Sequence, residues 1–203
     1  MITIVDYGVG NIGSIKNMLK RIGATSEIVS EPEGVSGAKK ILLPGVGSFD
    51  AAMKKLDENG LKEILDRKAL EERVPLLGIC LGMQLLTKGS EEGELQGFGW
   101  IDASTKKISN RSGIKVPHMG WNFVKKCSPS ELTRDLGKDA RFYFVHSYEV
   151  VVKNPENIIL KTEYGEDLVS AIQNDNIYGT QFHPEKSHKF GMQIFENFAA
   201  LSC

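Results

Sequence analysis

Apolar residues in the first half of the chain follow two alternating spacings. Short unbroken runs, Ile2 to Val5, Ile28-Val29, Ile41 to Leu43 and Pro75 to Cys80, have the length of buried strands. Between them apolar positions recur at helical spacing: Ile12, Ile15, Met18, Leu19 and Ile22, then Phe49, Ala52, Met53 and Leu56, then Leu61, Ile64 and Leu65. Each set lines one face of a helix. Gly23 ends the first helix, Pro44 ends the third strand, and Leu81, Leu85 and Leu86 open another helix directly after Cys80. Strands alternating with helices predict a parallel sheet with helices on both faces.

The second half changes character. Short β-like runs dominate at Trp121 to Val124, Phe142 to Val145, Glu149 to Val152, Ile158 to Leu160, Leu168 to Ile172 and Ile177 to Phe182. They predict antiparallel strands added to the parallel core. A last helix closes the chain, with Ile194, Phe195, Phe198 and Leu201 on one side. With no linker, repeat or low-complexity tract, the expectation is an α/β fold in one domain over residues 1–203.

A chain of 203 residues can bury roughly 70% of its unfolded surface, so its core needs no disulfide or metal. Lys and Arg total 25 against 26 Asp and Glu, a balance without the basic excess of a nucleic-acid binder. Met1 to Val5 is too short an apolar run for a signal peptide before Asp6 and a glycine-rich loop. No stretch approaches the ~18 apolar residues of a membrane span. The expectation is therefore a soluble, cytoplasmic protein. Cys80, Cys127 and Cys203 form no C-x-x-C pair, which argues against a disulfide framework or a zinc site and for a reducing compartment. No metal or cofactor is called for.

Two glycine-rich loops compete for the chemistry. Gly8-Val9-Gly10-Asn11-Ile12-Gly13 satisfies G-x-G-x-x-G between a strand and a helix, with Glu27 and Glu31 near the distance of a ribose-binding acid. It reads either as a phosphate cradle or as a tight turn that needs glycine for its backbone angles. Gly78-Ile79-Cys80-Leu81-Gly82 has the form of the G-x-S-x-G nucleophile elbow with sulfur in place of oxygen. A helix N-terminus favours the thiolate form of a cysteine, so Cys80 is a candidate nucleophile. The alternative is a small buried hydrophobe, the common fate of a free cysteine.

A nucleophile needs a base. Of His118, His146, His183 and His188, His183 stands at the end of an apolar run in Gln181-Phe182-His183-Pro184-Glu185. A carboxylate beside an imidazole selects its tautomer and stabilises the imidazolium, so Cys80, His183 and Glu185 can form a triad. Pro44-Gly45-Val46-Gly47-Ser48 ends a strand and opens a helix, where N–H groups can face a developing oxyanion. A plain helix-start turn accounts for it equally well. Lys115 to Asn122 and Tyr143 to Tyr148 are dense in aromatic and polar residues, as a binding surface or a core edge would be. Cys127 and Cys203 are assigned to structure.

Together these residues resemble the class I glutamine amidotransferases, which hydrolyse glutamine to glutamate and ammonia. The resemblance rests on Gly78 to Gln84 and His183-Pro184-Glu185. Further blocks, Asp6 to Asn11, Pro44 to Gly47, Pro117 to Asn122, Phe144 to Tyr148 and Pro184 to Ser187, narrow it to glutaminase subunits of imidazole glycerol phosphate synthase type. The match runs from Met1 to the last helix in the same order.

The resemblance implies a flavodoxin-like single domain and a mechanism in which Cys80 attacks the glutamine carbonyl, His183 shuttles the proton and Glu185 orients His183. It implies an oxyanion hole from the N–H groups of Val46 and Leu81, the Val46 loop rearranging when a partner docks. It places Gly47, Gln84, Glu92, Ser147 and Tyr148 around glutamine. It also implies a heterodimer with a (β/α)8 cyclase subunit that receives the ammonia, with Asn11, Met119, Trp121 and Lys186 at the interface. On this reading the first glycine loop serves docking rather than nucleotide binding. Paralogous glutaminases that supply ammonia for amidation of a surface sugar keep the same triad, so the acceptor has two possible identities.

Overall fold

The computed structural model describes residues 1–109 and 114–202; Cys203 lies outside the described residues. The first half runs β1 (Ile2–Val5), α1 (Ile12–Arg21), β2 (Ser26–Val29), α2 (Pro32–Ser36), β3 (Ile41–Gly45), α3 (Phe49–Glu58), α4 (Leu61–Asp66), β4 (Leu76–Cys80) and α5 (Leu81–Leu85). The second runs β5 (Ala103–Lys107), β6 (His118–Phe123), β7 (Lys125–Lys126), β8 (Arg141–His146), β9 (Tyr148–Val152), β10 (Ile158–Tyr164), β11 (Glu166–Asn174), β12 (Ile177–Thr180) and α6 (His188–Ala200).

Eight strands form the central sheet in the order β2-β1-β3-β4-β12-β11-β10-β7. The strands from β2 to β12 run parallel, and β11, β10 and β7 continue the sheet antiparallel. Because side chains alternate along a strand, β3 sends Ile41 and Leu43 to one face and Leu42 to the other. The first pair packs with Phe49, Met53, Leu56 and Leu61 of α3 and α4. Leu42 packs with Ile15 and Leu19 of α1 and with Ile194, Phe195 and Phe198 of α6. Full burial of such side chains contributes roughly 1.5–3 kcal/mol each, and it clamps the sheet between the two helical layers.

The expected architecture is present, with differences that have physical causes. The run from Ile177 was expected among added antiparallel strands, but β12 lies parallel to β4 as the fifth strand of the parallel set. Its tight packing explains the placement: at Gly179 a methyl group would lie 2.7 Å from the Met83 side chain. The strand also ends at Thr180 rather than Phe182. β3 continues through Pro44 to Gly45, because parallel pairing to Ile79 and Cys80 of β4 holds it extended. The last helix stops at Ala200, one residue short of Leu201. Not every added strand joins the main sheet: β5 pairs with β9, and β6 with β8, as separate antiparallel ribbons.

Candidate active site

β4 is buried at every position and ends at Cys80, the adjoining β3 ends at Gly45 opposite it, and β12 leads within three residues to His183. Ligand sites of open α/β sheets gather at the carboxyl ends of such strands. Cys80 holds φ +56° and ψ −109°, a conformation that costs a non-glycine residue free energy. The flanking glycines make this possible. A methyl group at Gly78 would lie 2.5 Å from the carbonyl oxygen of Gly82, and one at Gly82 would overlap the carbonyl oxygen of Leu43.

His183 is buried, and its Nδ1–H donates to Glu185 Oε1 at 2.8 Å. The turn that carries both is fastened twice: the His183 amide donates to the Tyr143 carbonyl at 3.0 Å, and the Ser187 hydroxyl donates to the His183 carbonyl at 2.6 Å. Burial works against a charge on the imidazole, but the approach of the Cys80 sulfur and the Glu185 hydrogen bond outweigh it and lift the His183 pKa to about 9. Nε2 is buried and free of any other partner among the described residues, and the Cys80 sulfur beside it is the strongest influence raising the ring's pKa.

A cavity of about 370 Å³ opens over these groups. It brings together Cys80, His183, Val46, Gly47, Leu81, Gln84, Glu92, Ser147, Tyr148 and Lys186, and Glu185 sits behind His183. Leu81 opens α5, where the first N–H groups have no intrahelical acceptor. Gly47 holds φ +104°, a left-handed conformation suited to glycine. One oxygen of Glu92 accepts the Phe49 amide of α3 at 2.9 Å.

Asn11, Met119 and Trp121 lie outside the cavity. Met119 and Trp121 are 61% and 45% exposed on one face of β6, and the structure adds Phe123, 54% exposed, to the same apolar stripe. The first glycine loop packs on the Val46 turn: a methyl at Gly10 would lie 3.1 Å from Pro44, and the Tyr7 hydroxyl donates to the Pro44 carbonyl at 2.6 Å. Gly8 already gives its amide to Asp6 Oδ1 at 2.9 Å. These internal contacts account for Gly8 and Gly10 without a phosphate.

Sequence reasoning assigned no role to three polar residues of this region. Gln181 donates through Nε2 to Cys80 Sγ at 3.7 Å. His146 lines the cavity and bonds His118 beneath it, Nδ1 of His118 to Nε2 of His146 at 2.9 Å. Burial pushes the pKa of His118 down to about 4. Burial also pushes His146 down to about 3, overcoming its hydrogen bond to the Tyr148 carbonyl, so both rings are neutral at pH 7. The one available signal was spacing: Gln181 stands two residues before His183, while Phe182 between them is buried against Phe142. Among the described residues, no cluster of three or more His, Cys, Asp or Glu has the geometry to hold a metal ion.

Fold and site together define an α/β protein built to place a cysteine at the mouth of a cavity beside an imidazole and a carboxylate. Solved structures share the fold. A glutamine amidotransferase crystal structure superposes with a TM-score of 0.73 at 22% identity, covering 99% of this chain and 100% of that one. A PurLQS structure from Thermotoga maritima also gives 0.73, at 19% identity, over 97% and 96% of the chains. The chain belongs to the class I glutamine amidotransferase family, whose model matches residues 3–201. Among its relatives, imidazole glycerol phosphate synthase subunit HisH 2 of Methanococcus maripaludis is 55% identical over 198 residues, 98% of each chain. The subunit of the same name from Pseudomonas aeruginosa is 48% identical over 201 residues, covering 99% of this chain and 100% of that one.

Proposed function

We propose that this chain, as one glutamine amidotransferase domain over residues 1–203, is the glutaminase subunit of an imidazole glycerol phosphate synthase. It hydrolyses L-glutamine and passes the ammonia to a cyclase subunit of (β/α)8 type, which forms imidazole glycerol phosphate and the aminoimidazole carboxamide nucleotide in L-histidine biosynthesis. The carrying observation is Cys80 on a strained turn, opening into the same cavity as a His183 already paired to Glu185. The relatives' names support the pathway. No helix among the described residues is long and apolar enough to cross a membrane, in keeping with a cytoplasmic location.

In this mechanism the Cys80 sulfur attacks the δ-carbonyl carbon of glutamine. The developing oxyanion is held by the N–H group of Leu81 and, in the complex, by that of Val46. His183, charged below about pH 9, gives its proton to the departing nitrogen. The C–N bond breaks and leaves a thioester with free ammonia. Water then gives a proton to His183 and attacks the thioester, releasing glutamate and the Cys80 thiolate. Gly47, Gln84, Glu92, Ser147 and Tyr148 hold the substrate, the Glu92 carboxylate being suited to its α-ammonium group. The Val46 turn reaches its donating arrangement when the cyclase subunit docks on Asn11, Met119, Trp121 and Lys186.

The test is glutamate release by the chain with and without its cyclase subunit. Cys80→Ser is expected to abolish release and to leave the complex intact; substantial turnover by that variant would overturn the assignment. Supplying the cyclase substrate and following imidazole glycerol phosphate tests the acceptor.

A further inference from the structure

The mechanism above gives no task to Gln181, whose side chain is completely buried beside the reacting sulfur. Its carboxamide is the last member of a continuous chain of hydrogen bonds. His146 donates through Nδ1 to the Tyr148 carbonyl at 2.7 Å, and its Nε2 faces His118 Nδ1. Gln84 Nε2 donates to that same Tyr148 carbonyl at 3.4 Å and to Gln181 Oε1 at 3.1 Å. Gln181 Nε2 then faces Cys80 Sγ.

The chain has one direction only. A carbonyl accepts and cannot donate, so the Tyr148 oxygen requires the nitrogen of Gln84 on its side. With that nitrogen spent on two acceptors, the group of Gln181 that meets it must be its oxygen. The nitrogen of Gln181 is thereby forced toward the sulfur. Its orientation follows from a backbone carbonyl two hydrogen bonds away and is independent of the protonation state of Cys80.

We infer that Gln181 is a positioning residue for the nucleophile, its N–H holding the Cys80 sulfur toward the cavity and stabilising it as the thiolate. The inference rests on Cys80 being the attacking group. It also limits Gln84, whose amide hydrogens are both engaged, to accepting through its oxygen from the bound substrate.

Alkylation of Cys80 by iodoacetamide, read by mass spectrometry of the Cys80 peptide across a pH series, tests this without any catalytic turnover. Exposed Cys127 serves as internal reference. In the full-length chain with its cyclase subunit, Gln181→Leu is expected to slow Cys80 alkylation at neutral pH about tenfold or more, the scale of losing a hydrogen bond to a charged group. The alkylation profile moves to higher pH, and kcat falls in parallel while KM for glutamine stays within about twofold. Gln181→Glu, of the same shape, keeps an acceptor for Gln84 but turns an oxygen toward the sulfur, and it is expected to slow alkylation further. It also covers the case in which the leucine variant fails to fold. Parental alkylation profiles in folded variants would overturn the inference. A Cys80→Ser enzyme that still releases glutamate would instead overturn the reading beneath it.

Discussion

His183 Nδ1 donates to Glu185 Oε1 across 2.8 Å inside a buried turn, and the other oxygen of Glu185 has no hydrogen-bond partner among the described residues. The carboxylate is thus committed to one imidazole nitrogen, which leaves Nε2 for the sulfur and the substrate. Replacing Glu185 by Gln keeps the shape but removes the charge that helps to hold His183 protonated up to about pH 9. The expected outcome is an alkaline limb of kcat/KM that moves to lower pH, with a loss of rate larger at pH 8.5 than at pH 6.5. A pH–rate profile of the glutamine-hydrolysing complex checks this, and an unmoved alkaline limb would detach Glu185 from the chemistry.

The same ionisation has a consequence for folding. The folded-state pKa of His183, about 9, lies above its ordinary value of 6.5. Its contribution to stability is therefore complete below pH 6.5 and lost as pH rises through 9. His118 and His146 act in the opposite sense. Their folded values, about 4 and about 3, lie below 6.5, so the unfolded chain takes up protons that the folded chain refuses. Stability is expected to fall as pH drops from 6.5 through 4. The His118 ring stacks between Phe144 and Tyr164 at centroid distances of 4.6 and 4.0 Å, so His118→Phe retains the packing. It is expected to cost stability at pH 7, through the lost bond to His146, and to flatten the acid slope. Urea midpoints at pH 7, 5.5 and 4.5 decide it; an unchanged difference between midpoints would show that His118 does not titrate with folding.

The glycines separate into those the site needs and those it does not. Gly82 sits where any Cβ would overlap the Leu43 carbonyl of β3, and backbone cannot yield as a side chain can. Gly82→Ala is expected to destabilise the chain by more than about 2 kcal/mol and to abolish activity, as overpacking at a rigid junction does. Gly13 is the second residue of α1, with nothing within 4 Å of an added methyl. Gly13→Ala is expected to stabilise the isolated chain by about 0.4–1 kcal/mol, because alanine fits the open position and narrows the backbone freedom of the unfolded chain. Thermal melts of both variants test the contrast, and a destabilised Gly13→Ala would restore the first loop as a tightly built cradle.

Gly78 and Gly82 also explain what could be read in advance. A glycine pair around Cys80 at a strand-to-helix junction is a local signal, because the steric demand it answers is local. The His183-Pro184-Glu185 turn is local as well. Elements whose reason is distant were illegible. β5 and β7 carry too much Ser, Thr and Lys to stand out as strands, and they exist because β9 and β10 offer partners. The parallel placement of β12 depends on pairing with β4, about a hundred positions earlier in the chain. Gln181 meets Gln84 across 97 positions, so its amide direction has no trace in spacing.

The apolar stripe on β6 is the remaining feature whose stability cost calls for a purpose. Met119, Trp121 and Phe123 are large, exposed and aligned by the two-residue period of the strand, and Trp121 stacks flat on His188 at 5.4 Å. We propose that this stripe is the docking face for the cyclase subunit, a use to which contiguous exposed apolar surface is commonly put. The strand is joined to the cavity through the His118–His146 bond. Met119→Asp and Phe123→Asp each place a charge where a partner would exclude water, and each is expected to weaken binding of the cyclase subunit at least tenfold, the loss typical of central contact residues. The melting temperature of the isolated chain is expected to change little, because these side chains are already exposed. Val151→Asp, 40% exposed on β9, serves as the control and is expected to bind as the parent does. Calorimetric titration with the cyclase subunit, run beside the partner-stimulated glutaminase assay, separates the outcomes. Equal affinity in all three variants would move the docking face elsewhere. Weakened binding with unaltered stimulation at saturating partner would mean that the stripe holds the partner without setting the Val46 turn.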